Sequence, residues 1–242
     1  MNRELTNKIR FVIEDLCPAF VRDSGLFRLL AKGVWGPHID DLARFRERAA
    51  FLTEEEYEAL YRHHPRVHDD TDNSDACIRR IAKDIVGTSV CDIGCGTGHL
   101  LKEVLKTNPD LTTVTGVDLV IDGVEPDPRI SFESARVEAL PFDDNAFDTV
   151  ICTHVIEHIL DYRTAIEELR RVAAKRLIII VPREREYRYT FNPHFNFFPY
   201  THSFLRAMHP VPDDHVCEDI QRDIYYCEDM SVAANRASDI AA

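Results

Sequence analysis

Two histidines and a glutamate lie close together in the chain, as His154, Glu157 and His158. Imidazole and carboxylate groups transfer protons near neutral pH, and the same groups also ligate metal ions. A spacing of four residues would place both imidazoles on one face of a helix. Zinc binding by the two histidines lacks a third ligand at a typical spacing, so we predict no metal and interpret the segment as a candidate general base.

A turn upstream carries glycine at every second position, at Gly94, Gly96 and Gly98. Glycines leave no Cβ between backbone and ligand, and in an open parallel sheet such a turn lies at the edge that binds small molecules. A dinucleotide site would need glycine where this chain has His99. Asp92 precedes the turn, and an acid at that point repels a pyrophosphate but suits a cationic ligand.

A second acid, Asp118, ends the next apolar stretch, 118 − 94 = 24 residues after Gly94. A carboxylate at that strand end can accept hydrogen bonds from both hydroxyls of a ribose. The turn and the two acids predict a nucleoside whose other end is positively charged and free of phosphate. The alternatives are a tight strand-to-helix connection without a ligand and, for Asp118, an acid that caps a helix.

These side chains must be positioned by elements that alternate from about residue 76 onward. The segments SVCDI, TVTGVD, FDTVICT and RLIIIV predict strands, with a short further strand at 130–132 and helices between them. Such alternation predicts parallel strands with right-handed crossovers. Since RLIIIV has no period-two alternation, both of its faces should be covered, as in a doubly wound α/β sheet. Residues 215–229 predict a terminal hairpin.

Composition excludes several classes of protein. The 242 residues carry 29 Lys and Arg against 42 Asp and Glu, a net charge of −13, which argues against nucleic-acid and anionic-membrane partners. No apolar run approaches the roughly 20 residues that span a bilayer, and the N-terminus lacks the pattern of a secretory signal. The seven cysteines include no CxxC pair, which favours a reducing cytoplasm without a structural zinc site.

Four segments in this order resemble class I S-adenosylmethionine-dependent methyltransferases, over about residues 76–182. They are VCDIGCGTGHL, GVDLV, VEALPFDDNAFDTVICTHVIEH and ELRRVAAKRLIIIVP. The resemblance implies a Rossmann-like, mostly parallel sheet of seven strands with S-adenosyl-L-methionine as cofactor. It also implies small-molecule substrates, since the chain continues from FDTV into ICTHVIEH rather than into the signature of enzymes that methylate nucleic-acid bases.

The resemblance also implies a role for individual positions. The turn of Gly94, Cys95, Gly96 and Gly98 would pack against the methionine part of the cofactor, with Asp92 near its ammonium. The remaining cofactor contacts implied are Asp118 on the ribose, Leu119 against adenine, the backbone of Val137 beside adenine, and Thr153 at the end of its strand.

Arg136 departs from the pattern of the resembling enzymes. Relatives often carry an aspartate there, which accepts a hydrogen bond from the adenine amino group, whereas arginine has no acceptor. Adenine would then be read by backbone groups alone, or Arg136 would stack on the ring, or the alignment is shifted by one residue.

The domain organisation follows from these segments. Residues 1–75 are predicted to form a helical N-terminal extension or lid, in which one helix ends at Cys17-Pro18, a second spans Ile39 to Ala50 and Thr53 opens a capping box. Within it, HHPRVHDDTDNSD at 63–75 predicts a linker or hinge, since the spacing of its histidines matches no metal site. Residues 76–229 are the expected S-adenosylmethionine-binding catalytic domain, with an acceptor or lid insertion at about 183–208, and 230–242 a disordered tail.

The expected reaction is methyl transfer to a small molecule, with a hydroxyl of a sugar or natural product as acceptor. His158 is the first candidate for the general base, followed by His154, His194 and then His202. The aromatic stretch at 182–208 would form the acceptor pocket, or its rings simply pack inward. An amine or protein acceptor and a cofactor-binding scaffold without catalysis are the alternatives, and the N-terminal helices would cover the site or form a homodimer contact.

Overall fold

The computed structural model describes residues 9–230, without 10, 37–39, 41–43, 45, 54, 58, 60–70, 122–123 and 190–192. Three predictions therefore lie outside the described residues: the histidine-rich start of the 63–75 linker, the beginning of the Ile39 helix, and the tail from residue 231.

A seven-stranded sheet forms the centre of the fold, in the order β3-β2-β1-β4-β5-β7-β6. Its strands are β1 (Ser89–Ile93), β2 (Thr113–Asp118), β3 (Ser131–Ser134), β4 (Phe147–Thr153), β5 (Ala173–Pro182), β6 (His215–Ile220) and β7 (Asp223–Asp229). The pairs among β1 to β5 are parallel, while β7 runs antiparallel to both β5 and β6. The predicted doubly wound sheet and its terminal hairpin are confirmed.

Helices cover both faces of this sheet. They are α3 (Asp75–Asp84), α4 (His99–Thr107), α5 (Tyr162–Val172) and α6 (Thr201–Ala207). Along β5, Ile178 and Ile180 pack in the core with α3 and α4, whereas Leu177 and Ile179 pack in the core with α5 and α6. Because both faces of β5 are covered, its sequence is apolar without alternation.

The N-terminal part begins with a π-helical turn at Phe11–Leu16, followed by α1 (Ala19–Arg22), α2 (Gly25–Trp35) and a 3-10 turn at Ala49–Phe51. The predicted helix end before Pro18 is confirmed. Gly33 lies inside α2, and the helix ends at Gly36, whose φ of 82° suits glycine.

The predicted capping box at Thr53 is present. Its Oγ1 accepts from the backbone N–H of Glu56 at 3.2 Å, and the Glu56 carboxylate accepts from the Thr53 N–H at 3.0 Å. These reciprocal bonds satisfy donors that a helix start leaves without intrahelical partners. The helical residues that follow bring Tyr57 to the core, where it is 8 % exposed.

The aromatic stretch after β5 packs inward in several places. Tyr187, Phe198 and Phe204 are all nearly fully buried. Tyr200 and His202 are exposed instead, and their rings stack on each other at 5.1 Å between centroids. The stretch is thus in part a packed wall rather than a row of exposed rings. Within the described residues, no helix combines the length and apolarity needed to cross a bilayer.

Candidate active site

The candidate site lies where the strand order reverses, between the neighbouring strands β1 and β4. In open α/β sheets, ligands bind beyond the carboxyl ends of the strands at this point. The chain leaves β1 through the glycine turn and leaves β4 through the histidine-containing segment. Both predicted groups of functional residues therefore meet at one edge of the sheet.

The glycine turn is held in a conformation that favours glycine. Gly94, Gly96 and Gly98 all have positive φ, of 79°, 57° and 73°. A Cβ on Gly94 would lie 2.1 Å from Cγ2 of Val155, so the segment after β4 packs directly on the turn. The backbone N–H of Gly94 donates to the carbonyl of Val117 at 2.7 Å, which ties the turn to β2.

Asp92 lies at the base of this turn and is 1 % exposed. Its Oδ1 is buried and has no hydrogen-bond partner in the part of the chain that the structure describes. Burial, together with the negative charge of Asp118, raises the pKa of Asp92 to about 7. A cationic group placed against Asp92 would supply the missing partner and favour the ionised carboxylate.

Asp118 ends β2 and is only half-buried. Its two carboxylate oxygens accept from the backbone N–H groups of Gly96, at 2.8 Å, and Val120, at 3.2 Å. A carboxylate has about four acceptor positions, so ribose hydroxyls can still bond to it. The acid thus fixes the turn and remains available to a ligand.

The other predicted cofactor residues divide into two kinds. The side chains of Cys95 and Val137 are buried in the core, so that they can offer a ligand only their backbone. Burial raises the pKa of the Cys95 thiol, which is therefore unreactive. Leu119 and Arg136 are partly exposed, and Arg136 bonds to Glu138 and lies over the ring of Tyr57.

Thr153 is buried at the end of β4, where its Oγ1 accepts from the side-chain amide of Asn73 at 2.8 Å. Sequence reasoning had placed Asn73 in a polar linker and missed it. The Oδ1 of Asn73 is buried without a partner among the described residues. The one signal in the sequence that could have indicated Asn73 is its position directly before Ser74, the residue that caps the start of α3.

His154 and His158 do not share a helical face, so that prediction is wrong. His154 has a φ of 56° and lies before the 3-10 turn Ile156–His158. Its Nδ1 lies 3.6 Å from Oε1 of Glu157. Burial alone would lower the pKa of His154, but Glu157 and the charges of Asp223 and Asp72 outweigh it and raise that pKa. Glu157 is thus the main group that favours the protonated form of His154.

His158 instead pairs with His194, which sequence reasoning ranked below His154. Their rings meet edge to face with centroids 4.6 Å apart. Nδ1 of His158 lies 3.3 Å from the carbonyl of Pro193, and Nδ1 of His194 bonds to the carboxylate of Glu184. Burial, followed by the nearby charge of His194, lowers the pKa of His158 to about 4, so its imidazole is neutral at pH 7.

The N-terminal part also contacts this site. The hydroxyl of Tyr57 donates to the backbone carbonyl of His158 at 2.9 Å, and its ring lies 6.4 Å from that of Phe195. Arg46 donates to the carbonyls of Tyr187 and Arg188 in the segment after β5. These contacts fasten residues from the N-terminal part to both segments that carry the histidines.

Among the described residues, the arrangement offers a buried carboxylate with an unpartnered oxygen after β1, a half-buried carboxylate at the end of β2, and a neutral imidazole after β4. A family described as methyltransferase domain matches residues 91–181. This range includes Asp92, Asp118 and His158, whereas Glu184 and His194 lie beyond it.

Curated relatives match a part of the chain of similar length. The chain is 31 % identical over 124 residues to the ubiquinone/menaquinone biosynthesis C-methyltransferase of Geobacter sulfurreducens, covering 45 % of this chain and 48 % of that protein. It is 31 % identical over 96 residues to the 2-phytyl-1,4-naphtoquinone methyltransferase of Trichormus variabilis, covering 36 % and 42 %. It is 30 % identical over 103 residues to the ajmaline N-methyltransferase of Rauvolfia serpentina, covering 38 % and 35 %. The chain thus spans about half the length of these relatives or less.

Solved structures extend the likeness beyond that region. A protein of Pyrococcus horikoshii OT3 superposes with a TM-score of 0.53 at 18 % identity, covering 71 % of this chain and 98 % of that one. This likeness shows the fold, including the seven-stranded sheet.

The contact between Gly94 and Val155 yields a first prediction. Gly94→Ala should lower the free energy of unfolding by about 2–5 kcal/mol, because it adds a clash to an unfavourable φ. Urea denaturation measures the loss. Gly33→Ala is the control, since a Cβ there meets nothing within 4 Å and the residue is helical.

Adding Val155→Ala should recover part of that loss, because it removes the methyl group that a Cβ on residue 94 would strike. Losses that simply add in the double variant would contradict the predicted contact.

Proposed function

We propose that this chain, which carries a class I S-adenosylmethionine-dependent methyltransferase domain, transfers the methyl group of that cofactor to a small-molecule acceptor. The observation that carries the proposal is Asp92, a buried carboxylate with an unpartnered oxygen beside a glycine turn. A cofactor with an ammonium group and no phosphate fits that environment, whereas a pyrophosphate would be repelled.

The residues for cofactor binding follow from the same geometry. Asp92 would hold the ammonium, Asp118 the ribose hydroxyls, and the glycine turn would admit the methionine part close to the backbone. Leu119 and the backbone of Val137 would border the adenine. The guanidinium of Arg136 already lies over the ring of Tyr57, so Arg136 is placed to stack on a ring. It cannot accept a hydrogen bond from the adenine amino group, because arginine has no acceptor.

The bound cofactor supplies an activated methyl group, so the task of the chain is to align the acceptor with it. A hydroxyl acceptor must also lose its proton. His158 is the proposed base, because its segment packs on Gly94 through Val155 and its ring is neutral. Its Nδ1–H donates to the carbonyl of Pro193, so Nε2 carries the lone pair that takes the proton.

The acceptor we propose is a hydroxyl of a natural product or sugar. A buried imidazole with a pKa near 4 is a weak base, so it suits an acidic, phenol-like hydroxyl better than an aliphatic one. The two relatives named for quinone pathways support an aromatic acceptor, with a ring carbon as the alternative target. An amine is the second candidate for the acceptor, because one relative is named as an N-methyltransferase.

The pKa of Asp92 leads to a prediction on pH dependence. Because its cation-binding form requires loss of a proton near pH 7, affinity for S-adenosylhomocysteine should rise from pH 5.5 to 7.5, by up to about tenfold per unit below pH 7. Calorimetry across this range measures the slope. Asp92→Asn should bind more weakly and flatten the slope, whereas Asp110→Asn, an exposed control, should keep it. An unchanged slope in Asp92→Asn contradicts the assignment.

The ribose assignment of Asp118 is testable in the same way. Asp118→Ala should weaken binding of S-adenosylhomocysteine by about 1–3 kcal/mol, since it leaves polar partners unpaired. Because the substitution also frees the Gly96 N–H, its thermal stability must be compared with that of Asp110→Ala. Unchanged affinity in a folded Asp118→Ala protein would remove the ribose contact.

The base assignment calls for a measurement of turnover. His158→Ala should lower transfer of a tritiated methyl group to a metabolite extract about 100-fold or more, with little change in cofactor affinity. His209→Ala, which alters an exposed ring outside the proposed site, should behave as wild type. Wild-type turnover without His158 would overturn its role, and tight cofactor binding with no labelled product from any extract would instead favour a scaffold.

A further inference from the structure

Three potential ligands converge in the segments that follow β4 and β5: Glu157, His158 and His194. One ligating atom from each lies within 4.8 Å of those of the other two. Two of them come from the 3-10 turn after β4, while His194 follows β5, 194 − 158 = 36 residues later. The pair with the sequence spacing of a zinc site, His154 and His158, is not the pair that the fold brings together.

Both imidazoles of this cluster are oriented by oxygen atoms at Nδ1. His158 faces the carbonyl of Pro193 at 3.3 Å, and His194 faces the buried carboxylate of Glu184. An acceptor at Nδ1 fixes the tautomer in which Nε2 carries the lone pair. Metal-ligating histidines show this arrangement, in which a carbonyl or carboxylate holds the second ring nitrogen.

The carboxylate of Glu157 points to a cation by an independent observation. The residue is 1 % exposed, and its Oε2 has no hydrogen-bond partner within the described residues. Its other oxygen, Oε1, lies 3.6 Å from Nδ1 of His154, a separation longer than a hydrogen bond. A buried charge is costly unless it is paired or coordinates a metal, and here the pairing is incomplete.

The backbone around the cluster is rigidly joined. The carbonyl of Glu157 accepts from the N–H groups of Phe195, at 2.7 Å, and Asn196, at 3.0 Å. The side-chain amide of Asn196 donates to the backbone carbonyls of Ile156 and Ile159. These four bonds clamp the loop of His194 onto the 3-10 turn, so that the three ligands are presented together rather than by independent segments.

We propose that Glu157, His158 and His194 bind a divalent transition-metal ion of the zinc class, with Glu184 as the partner that orients His194. Two nitrogens and one carboxylate oxygen suit Zn²⁺ rather than Mg²⁺, which prefers oxygen ligands. In a tetrahedral zinc site the ligand atoms lie about 3.4 Å apart, so binding draws the side chains inward by about 1 Å. Three protein ligands leave one coordination position open.

For catalysis this inference rests on the proposed function, whereas the site itself does not. An acceptor hydroxyl bound at the open position would be more acidic, because the positive charge of the metal stabilises the oxygen anion left when the proton passes to water. His158 would then be a ligand, and the base role tested above would belong to the metal-free protein.

The test is metal binding by the full chain, without cofactor or acceptor. The protein is freed of metal with a chelator and titrated with Zn²⁺ against a competing chromophoric chelator, and Co²⁺ is added separately to record its visible spectrum. We expect one ion per chain at sub-micromolar affinity, and a tetrahedral-type Co²⁺ spectrum. His194→Ala and Glu157→Gln should each weaken Zn²⁺ binding at least 100-fold, and Glu184→Gln by about 10–100-fold.

Two controls separate this site from other ligands in the chain. His209→Ala removes an exposed histidine outside the cluster, and His63→Ala/His64→Ala/His68→Ala removes those of the polar linker. Both variants should bind Zn²⁺ as wild type. Near-ultraviolet circular dichroism checks that every variant is folded. Failure to bind one ion, or equal binding by folded His194→Ala and wild type, would overturn the site.

A further measurement keeps this inference apart from the proposed function. S-adenosylhomocysteine affinity of the metal-free protein should stay within about twofold of that of the zinc-loaded protein, since Asp92 and Asp118 lie outside the ligand set. If the chain binds S-adenosylhomocysteine but not Zn²⁺, only the metal site is contradicted. If the chain binds Zn²⁺ but not S-adenosylhomocysteine, only the proposed function is contradicted.

Discussion

The close approach of Val155 to Gly94 is the constraint on which the site depends. The segment after β4 packs on the turn after β1 at this point, and it fits only because Gly94 has no Cβ. The strand order makes these two strands neighbours, and Gly94 has a positive φ, which favours glycine where the turn begins. The base role proposed for His158 depends on this contact, since it sets the turn proposed to bind the cofactor beside the histidine segment.

Buried carboxylates give the site its electrostatic character. Asp92, Glu157 and Glu184 are each at most 4 % exposed, and the first two have an oxygen without a described partner. A fold that only needed stability would gain by replacing such groups with apolar ones. For the two carboxylates with an unpartnered oxygen, the explanation we propose is a cationic ligand, an ammonium at Asp92 and a metal ion at Glu157.

The sequence predicted what local pattern determines and missed what long-range packing determines. The glycine turn, Asp118 and the strands were predictable, because glycine spacing and apolar runs specify them within a few residues. The shared face of His154 and His158 was wrong, because β4 extends to Thr153 and the helical turn starts only at Ile156. The pairing of His158 with His194 could not be predicted, since it depends on four hydrogen bonds between segments far apart in the chain.

The N-terminal part connects the two ends of the site. Tyr57 donates its hydroxyl to the carbonyl of His158 on the acceptor side, and the guanidinium of Arg136, expected beside adenine, lies over its ring. The capping box at Thr53 starts the helical residues that carry Tyr57, so a short surface motif fixes a buried ring against both segments. One side chain thus contacts the segments expected to hold the cofactor and the acceptor. A displacement of Tyr57 would disturb both of these segments at once, because the same ring contacts Arg136 and the same hydroxyl bonds to His158.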